Sequence, residues 1–256
     1  MYLVAKTYEN VEISEGVYKL SIKGKFNVKP GQFFMLKVGD LEPLLPRPIS
    51  VYDADDEGIS FLYQIVGQGT KHLSNLRVND ELQIMGPLGN GFDIERIKGK
   101  IAVVSGGIGI APLVYLIKKL RSCEIDLFSG FRTVDYSVDS VEKYVNKINL
   151  STESGKVGHK GYVTDLINPK EYEMVICCGP EIMMKKVISM CNEVDIPTIV
   201  SMENHMACGI GACLVCTCKT KAGNMRTCKD GPVFNGKDLV FNDISEVGST
   251  ATKEMI

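Results

Sequence analysis

Five of the nine cysteines, Cys208, Cys213, Cys216, Cys218 and Cys228, fall in one short stretch near the end of the chain. No other feature restricts the fold as strongly. Four of them read C-x4-C-x2-C-x11-C, at Cys208, Cys213, Cys216 and Cys228. The first three have the spacing of plant-type [2Fe–2S] sites, in which four thiolates converge on a compact anionic core. Gly209, Gly211 and Ala212 let the backbone wrap closely and aim N–H groups at sulfur. The fourth cysteine follows soon after the third, so the unit reads as a hairpin-like appendage. Structural zinc is the competing reading, but zinc sites usually carry paired C-x2-C knuckles and Cys228 has no such partner. A Rieske centre needs two histidines, and only His205 is near. Cys218 is a spare thiol. Strand alternation would point it the same way as Cys216, yet it is expected to pack nearby without coordinating.

Composition narrows the class. Of 256 residues, 45% are hydrophobic and 23% charged, and the formal net charge is −2. These values suit a globular chain with a real core and lack the basic footprint of a nucleic-acid binder. The lysine pairs Lys118-Lys119 and Lys185-Lys186 read as solvated helix faces. The first residues, MYLVAKTYENVEIS, lack the apolar core of a secretory signal. With so many thiols available for metal or redox work, the expected location is the cytoplasm. The uncharged run from Ile101 to Ile117 only reaches the lower limit of a bilayer span, and Gly106, Gly107, Gly109 and Pro112 divide it into strand, turn and helix.

Three regions follow. Residues 1–97 read as a small antiparallel barrel, with short β-rich runs at Val17–Ile22, Phe33–Val38, Ile49–Val51, Ile59–Val66 and Glu81–Met85 separated by turn signals. Leu73 and Leu76 mark one inserted helical segment. Residues 98–200 change period. Ile101–Ser105, Ile125–Phe128 and Met174–Cys178 are continuous apolar runs, as expected of strands buried on both faces. Helices are predicted through Leu113, Leu116, Ile117 and Leu120, and through Met183, Val187 and Cys191. Alternating strands and helices imply a parallel sheet. Residues 201–256 form the small cysteine-rich module, too short for its own core without a staple.

Two phosphate signals stand out. Gly106-Gly107-Ile108-Gly109-Ile110-Ala111-Pro112 follows a buried strand and opens a helix, a geometry that offers N–H groups to phosphate. It is not G-x-G-x-x-G, and a plain tight turn competes with it. Arg47-Pro48-Ile49-Ser50 places a guanidinium and a hydroxyl at one strand, and the arginine fork suits a pyrophosphate. Gly69-Thr70 opens the inserted helix.

In order along the chain, Arg47-Pro48-Ile49-Ser50, Gly69-Thr70, Gly107 to Pro112, Cys178-Gly179-Pro180 and the cysteine cluster resemble the ferredoxin–NADP reductase superfamily. The stretches MENHMACGIGACLVC and TCKDGPVF resemble one branch, the electron-transfer subunits of NAD-dependent, B-type dihydroorotate dehydrogenases. The resemblance implies that the barrel binds FAD. Arg47 and Ser50 would hold the pyrophosphate and the ring edge, Pro48 and Ile49 would line the ring, and Leu62-Tyr63-Gln64 would contact the flavin side. Gly69 and Thr70 would cap the pyrophosphate. NAD(H) would lie near Gly107, Gly109 and Pro112, with Cys178 close to the nicotinamide or, equally, a core thiol. Ser201 and Glu203 could approach the flavin but are not assigned to its site. Cys208, Cys213, Cys216 and Cys228 would ligate the [2Fe–2S] centre. A separate FMN-containing catalytic subunit would oxidise dihydroorotate for pyrimidine biosynthesis, two copies of each chain assembling together, with Val233-Phe234 near the interface. A related FAD/[2Fe–2S] reductase of ferredoxin–NADP or sulfide dehydrogenase type, or a zinc-binding interaction protein, are the other readings.

Overall fold

The computed structural model describes residues 2–39, 44–133 and 136–241. Six antiparallel strands open the chain: β1 (Tyr2–Ser14), β2 (Val17–Lys23), β3 (Phe33–Lys37), β4 (Arg47–Ala54), β5 (Gly58–Gln64) and β6 (Glu81–Leu88). They close in the order β1-β2-β5-β4-β3-β6. Closure satisfies every strand edge. Alternation sends Leu20, Ile22, Phe34, Leu36, Val51, Phe61, Leu82 and Ile84 into the lumen, where Phe34 and Phe61 meet edge to face at 5.6 Å. The inserted helix α1 (Gln68–Ser74) plugs one end with Leu73 and Leu76. Asn10 holds it there, its Nδ2 donating to the Leu73 and Leu76 carbonyls at 2.9 and 3.0 Å. The sequence did not single out β1, for a physical reason. Its outward residues Tyr2, Val4, Tyr8, Val11 and Ile13 are exposed yet apolar, so no polar alternation marks it, and two register shifts break its period.

The second region has β7 (Gly99–Gly106), α2 (Ala111–Lys119), β8 (Cys123–Phe131), β9 (Lys147–Thr152), β10 (His159–Lys160), β11 (Met174–Cys178), α3 (Glu181–Glu193) and β12 (Thr198–Ser201). These strands are parallel, with α2 on one face and α3 on the other. Helix α2 also packs on the barrel. Tyr115 joins the barrel core, and the Lys118 ammonium lies 2.6 Å from Asp53 on β4. Lys118 is therefore an inter-domain tether and not part of a solvated face, while Lys185 pairs with Glu181 along α3 at 2.9 Å.

The third region contains the hairpin β13 (Thr217–Thr220) and β14 (Gly223–Arg226), then β15 (Val233–Asn235). Strand β15 pairs antiparallel with β12 and becomes the edge of the nucleotide-type sheet. Phe234 is buried there and Val233 packs beside α2's core. Phe234 is thus taken up by the core, and of the pair expected near the interface only the half-buried Val233 keeps accessible surface. On the other side, Asn90 grips the module: its N–H donates to Gly231 O at 2.6 Å, and its Nδ2 to the Lys229 and Asp230 carbonyls at 3.1 Å each.

Candidate functional site

The cysteine loop lies against the outside of the barrel. On β3, Phe34 and Leu36 face the lumen, whereas Phe33 and Met35 pack with Met206, Cys216 and Cys228. This explains why β3 lacks a polar face. Gly209 has φ +69°, and a β-carbon there would stand 2.7 Å from Met35 Cγ and 3.0 Å from Leu88 Cδ1. Only glycine lets the loop come this close.

The sulfurs fall into two pairs. Cys208 pairs with Cys213 and Cys216 with Cys228, each pair joined by a backbone N–H that donates to sulfur. The N–H groups of Ala212 and Cys213 donate to Cys208 Sγ at 3.3 and 3.4 Å, and the Cys228 N–H donates to Cys216 Sγ at 3.4 Å. Burial pushes the Cys208 thiol up. The N–H groups of Cys213, Ile210 and Ala212, with the Cys213 thiol, outweigh that and draw it down to about 6. Cys228 goes the other way, raised by burial and by its bond to Cys216. Among the described residues no group of three or more His, Cys, Asp or Glu side chains could hold a single metal ion. Two sulfur pairs beside donor N–H groups fit a two-iron centre, one pair for each iron. Cys218 packs with Met225 and Phe241 in the cluster on the α3 side of the sheet, separate from the cluster of Cys216 and Cys228, while staying close enough to Cys216 to feel it. The expected common direction fails because Cys216 precedes β13, where strand alternation has not begun.

The flavin-type residues occupy the first half of β4. Arg47, Pro48, Ile49 and Ser50 are all half-buried. The Arg47 side chain lies over Gly69, where a β-carbon would meet Nε at 2.0 Å. Thr70 Oγ1 accepts from the Val66 and Gly67 N–H groups at 2.9 and 3.3 Å and donates to Gly67 O at 3.1 Å. Its hydroxyl braces the loop that presents Gly69. Leu62 is buried beneath the α2 core. Tyr63 points into the barrel, where its hydroxyl donates to Asn10 Oδ1 at 3.0 Å. Gln64 is exposed.

At the carboxyl ends of β7 and β11 the two glycine turns interlock. A β-carbon on Gly109 would stand 2.4 Å from Cys178 O, and one on Gly179 would stand 2.8 Å from Gly106 N. Gly107 has φ +52°, and Pro112 sits in the first turn of α2. The order β10-β9-β8-β7-β11-β12-β15 reverses chain direction between β7 and β11. Open α/β sheets receive ligands at this switch point. Cys178 is fully buried, its thiol pushed well up by burial, then by Glu203 and Cys177, and drawn back by Ser201. It sits beneath the cleft.

Sequence reasoning missed several neighbours. Register aligns Ser201, Cys178, Ser105 and Ser129 across four adjacent strands, and the last two hydroxyls bond at 2.6 Å. A β-carbon on Gly107 would lie 3.9 Å from the Tyr136 hydroxyl, and Tyr136 meets Phe131 edge to face. Glu203 keeps accessible surface, yet the surrounding cleft raises its carboxyl by desolvation. The in-register serines were legible once strands were aligned. Tyr136 and Glu203 carry no local signal.

Residues 203–240 match the family model for the iron–sulfur cluster binding domain of dihydroorotate dehydrogenase B. The chain is 61% identical over 242 residues to the dihydroorotate dehydrogenase B (NAD(+)) electron transfer subunit of Clostridium acetobutylicum, covering 94% of this chain and 98% of the relative. Identity to the subunit of the same name from Clostridium perfringens is 49% over 244 residues, with 94% and 98% coverage. Among solved structures, a chain of an NADH-dependent reduced ferredoxin-NADP oxidoreductase superposes with TM-score 0.84 and 28% identity, covering 93% of this chain and 90% of that one. Ferredoxin-NADP+ reductase from Plasmodium falciparum shares the fold at TM-score 0.62 and 20% identity, over 75% of this chain and 91% of that chain. The barrel and parallel sheet share the fold of these structures, and the chain belongs to the family of dihydroorotate dehydrogenase B electron transfer subunits.

Proposed function

We propose that this chain carries electrons from a catalytic subunit that oxidises dihydroorotate at FMN to NAD⁺, using its own [2Fe–2S] cluster and FAD, in pyrimidine biosynthesis. One observation carries the proposal. Gly209 of the cysteine loop rests on Met35, and Met35 pairs directly with Pro48 of the flavin-type segment. Neighbouring strands lie about 4.8 Å apart, so the sulfur cage and the Arg47–Ser50 segment stand on adjacent strands of one rigid wall.

Bound there, FAD exchanges electrons in pairs with the nicotinamide and singly with the iron–sulfur centre. The protein residues position and insulate. Cys208 and Cys213 would hold one iron, Cys216 and Cys228 the other. Arg47 would meet the pyrophosphate beside Gly69, Ser50 the ring edge, and Pro48 and Ile49 the ring. Leu62 and Tyr63 would support the flavin side from beneath, through packing and backbone, with Gln64 free to reach it. The interlocked turns at Gly107, Gly109 and Gly179 would seat the nicotinamide nucleotide without side chains in the way, over buried Cys178. Over the full cycle dihydroorotate gives up two electrons and two protons; NAD⁺ takes both electrons and one proton as hydride, and the second proton is released to solvent.

Ile210, Leu214 and Val215 are exposed apolar residues around Cys213. They form the partner-facing rim in this reading, within an assembly of two copies of each chain. The nine cysteines are all free thiols, in keeping with a reducing cytoplasm, and among the described residues no helix is long and apolar enough to cross a membrane.

Anaerobic co-purification with the catalytic partner tests the proposal. Stoichiometric FAD, iron and sulfide with dihydroorotate-dependent NAD⁺ reduction is expected. Reduction of ferredoxin or sulfide chemistry in place of dihydroorotate oxidation would favour a sister reductase. Arg47→Ala should weaken FAD binding at least tenfold, since charge-assisted contacts contribute about 1.5–3 kcal/mol. Undiminished flavin retention would remove the pyrophosphate role.

A further inference from the structure

We propose that Arg226, locked in place by Asp230, is the residue that sets the reduction potential of the cluster. The inference rests on the ligand assignment above. Arg226 ends β14, two positions before Cys228. Its Nε and Nη2 meet the two carboxylate oxygens of Asp230 at 2.9 and 3.0 Å, a two-point fork. Its backbone N–H donates to the same carboxylate at 2.8 Å, and Nη1 reaches the Gly211 carbonyl at 3.4 Å. The Arg226 carbonyl in turn accepts from the N–H groups of Lys229, Asp230 and Gly231. One residue therefore ties the loop of the first sulfur pair to the turn that carries Cys228.

An exposed ion pair of this kind would contribute little to stability. Here the two side chains are only about a third exposed, and Arg226 stands opposite Thr217, the residue after Cys216, with its guanidinium reaching the loop between Cys208 and Cys213. Reduction of a two-iron centre adds one negative charge to a cage already anionic through four thiolates. A cation fixed beside the buried pair favours the state that holds the added electron. Asp230 keeps that cation from wandering, and Gly211 leaves room for Lys229 to pack across the loop. Arg226 is thus a positioning residue whose charge, beyond its hydrogen bonds, has a consequence for the electron.

Potentiometric titration of the cluster's paramagnetic signal decides the matter, using the full chain in complex with its partner. Arg226→Gln should shift the balance toward the oxidised form by about tenfold, or ~59 mV downward for one electron. Arg226→Lys should recover most of that shift, since it restores charge without the fork. A glutamine variant with full iron and sulfide and an unmoved potential overturns the proposal. So does a lysine variant that behaves like glutamine, or a glutamine variant that loses its iron, which makes the residue purely structural. Absence of iron and sulfide from the unmodified chain is a different result, and sinks the ligand assignment itself.

Discussion

The two sulfur pairs sit a few residues apart but in opposite surroundings. Cys208 and Cys213 are at the rim, half-exposed and exposed, whereas Cys216 and Cys228 are buried against Met35 and Phe33. Backbone N–H groups draw the Cys208 thiol down, while burial drives Cys228 up. At the rim the loop's backbone N–H groups prepare Cys208 for ionisation. In the buried pair Cys228 holds its proton until a metal replaces it, because a lone thiolate in an apolar wall lacks compensation. Folding and loading are therefore coupled unequally across one small centre.

The sharpest way to break this contrast is to remove one ligand from each side. Cys213→Ala and Cys216→Ala should both abolish the cluster, read as acid-labile sulfide, with FAD still bound. Only Cys216→Ala should also destabilise the flavin-loaded chain, by about 1–2 kcal/mol, because it leaves a hole in the wall. Equal melting temperatures for the two variants would erase the distinction. Gly209→Ala comes next. Its left-handed backbone and the clash with Met35 should cost roughly 1–3 kcal/mol and lower iron content, whereas Gly223→Ala at φ +110°, with open space around it, should retain full iron. In the cluster-free chain, alkylation of Cys208 should rise with pH through about 6 and level off above, since the thiolate is the nucleophile. Cys228 should stay unreactive across neutral pH, and matching profiles by mass spectrometry would refute the asymmetry. The smallest effect belongs to Cys218→Ser. Cys218 packs in a different cluster from Cys216 and Cys228, so iron and sulfide should be unchanged, and their loss would show that the wrong thiol was assigned.

Much of this was legible wherever a local pattern coincided with a tertiary one. The spacing of Cys208, Cys213 and Cys216 is a loop property, and the apolar run Ile101–Ser105 is buried on both faces as its composition requires. Leu73 and Leu76 announced α1 because both pack into the barrel core, Leu73 from the helix and Leu76 from just past its C-cap. Legibility ended where meaning depends on what covers a residue. Outward apolar residues hid β1, and Val233-Phe234 looked like a surface patch until β12 claimed it as an edge partner. Cys178 was equally consistent with chemistry and core, and its backbone carbonyl turns out to touch the Gly109 turn while its thiol is sealed away. Tyr136 and Glu203 reach the cleft from separate loops, a meeting that no single window of sequence contains.

The strand β15 and the Asn90 clamp have a mechanical consequence. A carrier on a flexible tether could collect charge at one place and discharge it at another. This module is instead stitched to one domain by a ladder and pinned to the other by three hydrogen bonds. Its gap to the barrel wall is therefore fixed when the chain folds, so an electron crosses it without any travel of the module.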